Sequence, residues 1–250
     1  MDTNVTERAV TAPSATESSP DTFFVQVPTT TLRGSNIVVP AFLVSKYLAS
    51  VNDDGSAYIS ATDTPAVEIN FQASRDACNK SGLALITNLQ YLAMAQNIAN
   101  TAQNWTGGEV GKGNLFQGLR TWSVDEAQAN DFEPTDPDER RWFVLSTGER
   151  IYDAAGHLFS WVVADIEGDP ETGLVNAPFA DNSPSIAAAA YPSLEKGVGW
   201  YPRAGSDWSG DALVRGGCFG SDAGAGVFRL GLDWPDSEDD SVGFRCTKPQ

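Results

Sequence analysis

Leu213-Val214-Arg215-Gly216-Gly217-Cys218-Phe219, then Ala225-Gly226-Val227-Phe228, then Trp234-Pro235, then Val242-Gly243-Phe244-Arg245-Cys246: the reading of the chain turns on these segments. Their glycines, phenylalanines and leucines cluster or alternate like turn and core positions, and the residues between them are polar, small or charged. Arg229, Gly231 and Asp233 alternate with Leu230 and Leu232. Successive side chains of a strand point to opposite faces, so the first three are expected to face solvent and the two leucines the core. Tyr201, Trp208 and Trp234 are candidate aromatic anchors, because aromatic side chains carry much of the energy of small interfaces. Trp234, next to Pro235, reads equally well as scaffold.

Upstream, the pattern changes twice. From Trp105 on, helical periodicity is missing, glycine is frequent, and tryptophan recurs at 122, 142, 161, 200, 208 and 234. Residues 141–152 read as a β-hairpin around Ser146-Thr147-Gly148-Glu149, and residues 159–163 as a further strand. Before Trp105 lie two helices. One is expected over residues 72–81, stopping at Gly82. The other begins at Thr87, where Thr87-Asn88-Leu89-Gln90 fits a capping box. Its apolar stripe of Leu89, Leu92, Ala93 and Ile98 has the spacing of one buried face, which Tyr91 and Met94 extend. Strand-like runs at 23–27, 37–47 and 57–60 precede the helices, and residues 1–21, rich in Thr, Ser, Ala, Pro and Glu, read as a flexible arm. Helices early and a loop-rich β region later make the fold class α+β.

The totals exclude several functions. With 33 acidic and 16 basic side chains the net charge is −17. Nucleic-acid binding needs Lys/Arg clusters to neutralise phosphates, and this chain has none, so no nucleic-acid partner is expected. No apolar run is long enough to span a membrane, and the N-terminal residues lack the apolar core of a Sec signal peptide. One histidine, His157, makes a His-based metal site or a Ser-His-Asp triad improbable, and the three cysteines, Cys78, Cys218 and Cys246, fit no zinc spacing. The run Gly107–Gly113 is one residue short of a phosphate loop and has glycine where Ser/Thr would reach magnesium. Acidic pairs such as Asp131/Glu133 and Glu238/Asp239 read as solvated loops. Asp165, Glu167, Asp169 and Glu171 place hard oxygen donors at alternating positions but fit a solvated loop better.

Five segments, in order, resemble the formylglycine-generating-enzyme-like (sulfatase-modifying-factor) subclass of the C-type-lectin fold. They are Pro65–Phe71 with Asp76-Ala77-Cys78; Leu85-Ile86-Thr87 with Gln90–Ala93; Tyr152–Trp161, similar to Gly-Asn-Val-Trp-Glu-Trp; Leu213–Phe219, similar to Arg-Gly-Gly-Ser-Trp; and Val242–Cys246, similar to a closing Gly-Phe-Arg-Cys. A narrower resemblance joins the segments after Leu213 to the variable proteins of diversity-generating retroelements, which include phage tropism determinants. In such proteins a reverse transcriptase rewrites adenine-bearing codons at the end of the gene while the scaffold stays fixed. Codons of the AAY type cannot yield Trp or Glu, so Trp208, Trp234 and Glu238 would not arise from them.

The resemblance implies a C-type-lectin-like domain over residues 22–250, with residues 199–246 as the variable region, and a binder rather than an enzyme. The related enzymes use a cysteine pair after Arg-Gly-Gly-Ser-Trp; here Cys218 lies inside that segment and the next cysteine is Cys246. Cys78 and Cys246 match positions that can be bridged in the relatives, so they are either a disulfide or two buried thiols. His157 and Ser160 replace two oxygen ligands of the relatives' structural calcium, so no cofactor is expected, calcium remaining open, and His157 reads as a structural residue. The expected ligand-binding residues are Tyr201, Asp207, Trp208, Ser221, Asp222, Arg229, Gly231, Asp233, Trp234, Ser237, Glu238, Asp239 and Asp240. The expected partner is a protein or glycan on a cell surface, bound by a virion tail tip or a prokaryotic cell surface, with a homo-oligomer as one option. Eight acidic residues against two basic ones between Asp207 and Ser241 favour a neutral or basic ligand.

Overall fold

The computed structural model describes residues 20–249. The arm expected over residues 1–21 lies outside the described residues, except that Pro20 and Asp21 open a 3-10 turn, Pro20–Phe23. The fold is α+β, with short, mostly antiparallel strands, few helices and long loops. The early strands are β1 (Phe24–Val27), β2 (Thr30–Thr31), β3 (Val38–Val39), β4 (Phe42–Ser45), β5 (Ala49–Val51), β6 (Ala57–Ile59) and β7 (Ala84–Leu85). The later ones are β8 (Trp142–Val144), β9 (Arg150–Tyr152), β10 (Phe159–Val162), β11 (Ala212–Arg215), β12 (Leu230–Asp233), β13 (Val242–Phe244) and β14 (Cys246–Thr247). The helices are α1 (Phe71–Lys80), α2 (Asn88–Ala99) and the one-turn α3 (Pro184–Ala187).

Two four-stranded sheets organise the molecule. One has the order β1-β4-β14-β7 and the other β12-β11-β10-β13. All pairings in the first are antiparallel, whereas β13 runs parallel to β10 in the second. The expected hairpin is β8–β9, with Trp142 opposite Tyr152.

Both long helices begin as their sequences dictate. The Asn70 side chain accepts the Ala73 N–H at the start of α1, and Thr87 and Gln90 form a reciprocal capping box at the start of α2. Each cap satisfies N–H groups that the helix itself leaves without partners. The buried surface of α2 is wider than its expected face: Asn88, Ala95 and Ala99 are buried along with Tyr91, Leu92, Ala93, Met94 and Ile98, while Leu89 is only half-buried. The helix packs against β1, β2 and β3 and against α3, so more than one of its faces is covered. No helix among the described residues is long and apolar enough to cross a membrane.

The core also takes in three arginines, Arg141, Arg215 and Arg245, none more than 2% exposed. Arg215 of β11 donates from Nε to Asn88 Oδ1 (2.7 Å) and from Nη2 to the Ser185 carbonyl (3.2 Å). Arg245 donates to the carbonyls of Ser45 and Tyr152, tying the segment between β13 and β14 to β4 and β9. The alternation expected in β12 holds only in part. Leu230 is fully buried, but Leu232 is 36% exposed, and Gly231, expected at the surface, is buried. The reason is local coverage. β12 is an edge strand, and the chain at 198–200 runs along it only far enough to accept the Phe228 and Leu230 N–H groups. Beyond that point Leu232 has no cover, while Gly231 lies against the side chains of Val214 and Phe159.

Candidate ligand-binding face

The stretch from 199 to 246 builds a concave surface on the exposed half of β12. Its scaffold is set by backbone contacts that leave no room for side chains. Gly216 has φ +91°, and a Cβ there would meet the Tyr91 hydroxyl at 2.8 Å. At Gly226 a Cβ would meet backbone atoms of Val198 and Gly199 at 2.3–2.4 Å. Phe228, Leu230, Val242 and Phe244 are buried, as their pattern predicts.

On this base lies a cavity of ≈500 Å³. Its walls are Trp200, Trp208 and Phe159, its floor Gly231 and Val214, and its rim Leu232, Arg229, Asp233 and Asp239. A second hollow of ≈470 Å³, lined by Leu194, Tyr201, Arg203 and Ser206, shares Trp200 and Trp208 with it. The two tryptophans form the ridge between the hollows, their ring centroids 6.5 Å apart and their planes inclined by 20°. Trp208 is braced by the edge of buried Phe179, with centroids 5.1 Å apart.

The charged groups of the cavity are not paired with one another. The Arg229 guanidinium lies 4.8 Å from the centre of the Trp200 ring and 5.5 Å from that of Phe159. Burial lowers its pKa from the ordinary arginine value, opposed by the neighbouring Cys218. Its Nε is buried without an acceptor. Next to Asp233, burial and then the charge of Asp233 raise the Asp211 carboxyl above the usual carboxylate range.

Five of the thirteen expected ligand-binding residues line this cavity: Trp208, Arg229, Gly231, Asp233 and Asp239. Tyr201 lines the neighbouring hollow, and its hydroxyl donates to the Tyr191 carbonyl (2.9 Å). The others lie apart or shape turns. Asp207 accepts from Ser209 N–H and hydroxyl, which lowers its pKa. Ser221 accepts the Cys218 N–H, and Asp222 opens a 3-10 turn with a left-handed φ of +46°. Asp239 also accepts from Ser241 N–H and hydroxyl. Glu238 accepts from Asn70 Nδ2, Ser237 N–H closes a turn on the Trp234 carbonyl, and Asp240 is exposed. Trp234 is 70% exposed and lines neither hollow. Sequence reasoning missed Trp200 and Phe159. Trp200 was one tryptophan among many in the sequence, and Phe159 reaches the cavity only through the pairing of β10, β11 and β12.

Other candidate groups are already engaged. Glu167 is buried and accepts from the Ser183 and Ser185 hydroxyls, Asp165 accepts the Leu89 N–H, and Asp169 accepts the Glu171 and Thr172 N–H groups, so the four alternating acidic residues do not converge. A cavity of ≈560 Å³ beside Glu167, lined by residues 34–37 and by Ile166, Ala177, Pro178, Ala180 and Asn182 to Pro184, has no aromatic wall. His157 is wholly buried. Its Nε2 accepts the Gln128 N–H (2.9 Å), which assigns the ring proton to Nδ1, 3.3 Å from Asp153 Oδ2. Arg141 donates to both Asp153 oxygens. Cys78 and Cys246 face each other in the core with sulfurs 2.9 Å apart, while Cys218 faces Ser221.

No protein-family model and no curated protein matches the sequence. Among solved structures, the chain is similar to PvdO from Pseudomonas aeruginosa at 14% identity and a TM-score of 0.47, covering 90% of this chain and 93% of that one. It is similar to Treponema denticola variable protein 1 at 15% identity and a TM-score of 0.47, covering 90% and 95%. It is also similar to the U1 variant of Major Tropism Determinant at 18% identity and a TM-score of 0.41, where 86% of this chain spans 52% of that one.

Proposed function

We propose that the chain is a recognition protein whose 199–246 surface binds a ligand on a cell surface, and that the exposed positions of this surface are the ones a retroelement diversifies. The observation that carries the reading is the division of the stretch. Gly216, Gly226, Phe228, Phe244, Arg215 and Arg245 are fixed by burial and close contact, while Leu232, Asp233, Arg229 and the tryptophan ridge frame an open cavity. A surface of this kind tolerates exchange because surface substitutions away from caps and cores change stability little. The thiol arrangement supports binding over oxidative chemistry, since Cys218 faces a serine rather than a second cysteine. Display on a virion tail tip or a prokaryotic surface suits such a binder, and several copies would strengthen weak sites through avidity.

Two measurements test the proposal. A library randomised at Asp207, Asp222, Leu232, Trp234, Glu238 and Asp240 should keep cooperative unfolding in most members, and one randomised at Arg215, Gly216, Phe228 and Phe244 should lose it. Equal intolerance at both sets would refute the division into scaffold and surface. In the flanking DNA, a near-copy of the gene's last part differing at adenines should lie beside a reverse transcriptase gene; its absence would remove the diversification but leave binding standing.

A further inference from the structure

Arg229 is a charged group of the cavity whose donors have no acceptor among the described residues. A guanidinium carries five N–H donors and normally finds acceptors for them when it is covered. Here no side-chain hydrogen bond or ion pair of Arg229 is found among the described residues. Its partners are the ring faces of Trp200 and Phe159. Stacking of this kind fixes the plane of the fork; Nε is enclosed, and the Nη groups are the donors left for a ligand. Around it are acceptors: Asp233 and Asp239 on the rim, with Asp211 close enough to Asp233 for the two charges to interact.

We infer that this cavity takes a neutral saccharide, an assignment that rests on the recognition reading above. A carboxylate ligand would satisfy Arg229 but meet the negative charges of Asp233, Asp239 and Asp211. An ammonium or guanidinium ligand would satisfy those but meet Arg229. Hydroxyl groups both donate and accept. A ring bearing adjacent hydroxyls therefore accepts from Arg229 and donates to the carboxylates without either repulsion. Trp200 and Trp208 give the cavity an aromatic lining that suits the C–H face of such a ring, and a cavity of ≈500 Å³ has the size of a small-molecule site. A primary amide on a protein ligand shares the donor–acceptor pattern but offers no ring face to two tryptophans.

The test is saturation-transfer NMR of the full chain with methyl glucoside, methyl galactoside and methyl mannoside, beside a glutamate-bearing, a lysine-bearing and an asparagine-bearing peptide as probes. At least one neutral hexoside should give transfer. Arg229→Met, which keeps the stacked stem and removes the donors, should weaken its binding about tenfold or more. Asp233→Asn, which retains the Oδ1 acceptor used by the Trp234 N–H, should weaken it less, and it serves if Arg229→Met does not fold. Thr147→Ala, in the exposed β8–β9 turn and outside both hollows, should leave it unchanged. Transfer from a peptide alone would overturn the saccharide assignment while leaving recognition intact. Silence from every probe would overturn the assignment. If, in addition, binding of the full chain to cells were unaffected by Trp208→Ala, the recognition reading would fall with it.

Discussion

A guanidinium buried without a carboxylate in contact is held by whatever acceptors the fold aims at it. Arg215 depends on the Asn88 side chain and the Ser185 carbonyl. Arg215→Met should leave these acceptors unsatisfied and lower the free energy of unfolding by about 3 kcal/mol, read from denaturant titration. The neighbourhood of His157 responds to pH instead. Burial lowers the His157 pKa below its ordinary value, against the pull of Asp153. The unfolded chain therefore takes up a proton near pH 6.5 that the folded one refuses. Stability is full above that pH and falls as the pH drops through it. For Asp153, burial is outweighed by Arg141 and His157, so its carboxyl is held well below the usual range. Its stabilisation is present above about pH 4 and lost further into acid. His157→Asn, suited to the left-handed φ of +64° at this position, should flatten the fall in stability between pH 7 and pH 5 while preserving the fall below pH 4. An unchanged slope above pH 5 would assign the acid sensitivity elsewhere.

Among the elements, those written by adjacent residues were legible and those written by distant ones were not. The capping box at Thr87, the stop at Gly82 and the hairpin of β8 and β9 each depend on a few consecutive side chains, and each is where its sequence puts it. The exposure of Leu232 depends on how far residues 198–200 run beside β12, which alternation cannot encode. The tryptophan ridge was half legible for the same reason: Trp208 and Trp200 come together through loops, not through spacing. Gly226 is where the two kinds of information meet. Its segment could be recognised, but its necessity comes from the chain crossing at Val198 and Gly199. Gly226→Ala forces backbone against backbone there and should cost about 3 kcal/mol, shown by a lower denaturation midpoint at unchanged slope.

At the scale of the molecule, the two sheets are completed late. β13 joins β10, and β14 lies between β4 and β7, so both sheets need residues beyond 241. Removing residues 246–250 takes out Cys246 and Thr247 and opens the first sheet between β4 and β7. The shortened chain should lose its cooperative thermal transition and its near-ultraviolet circular dichroism; retention of both would show that β1 and β4 close the core without it. A chain emerging from the ribosome cannot complete the second sheet before residue 244 or the first before residue 247. For a gene whose last part is rewritten as proposed, that order turns folding into a proofreader of the reading frame. A frameshift or stop codon introduced among the variable positions deprives both sheets of their final strands, and the faulty product is left open to proteases instead of being displayed.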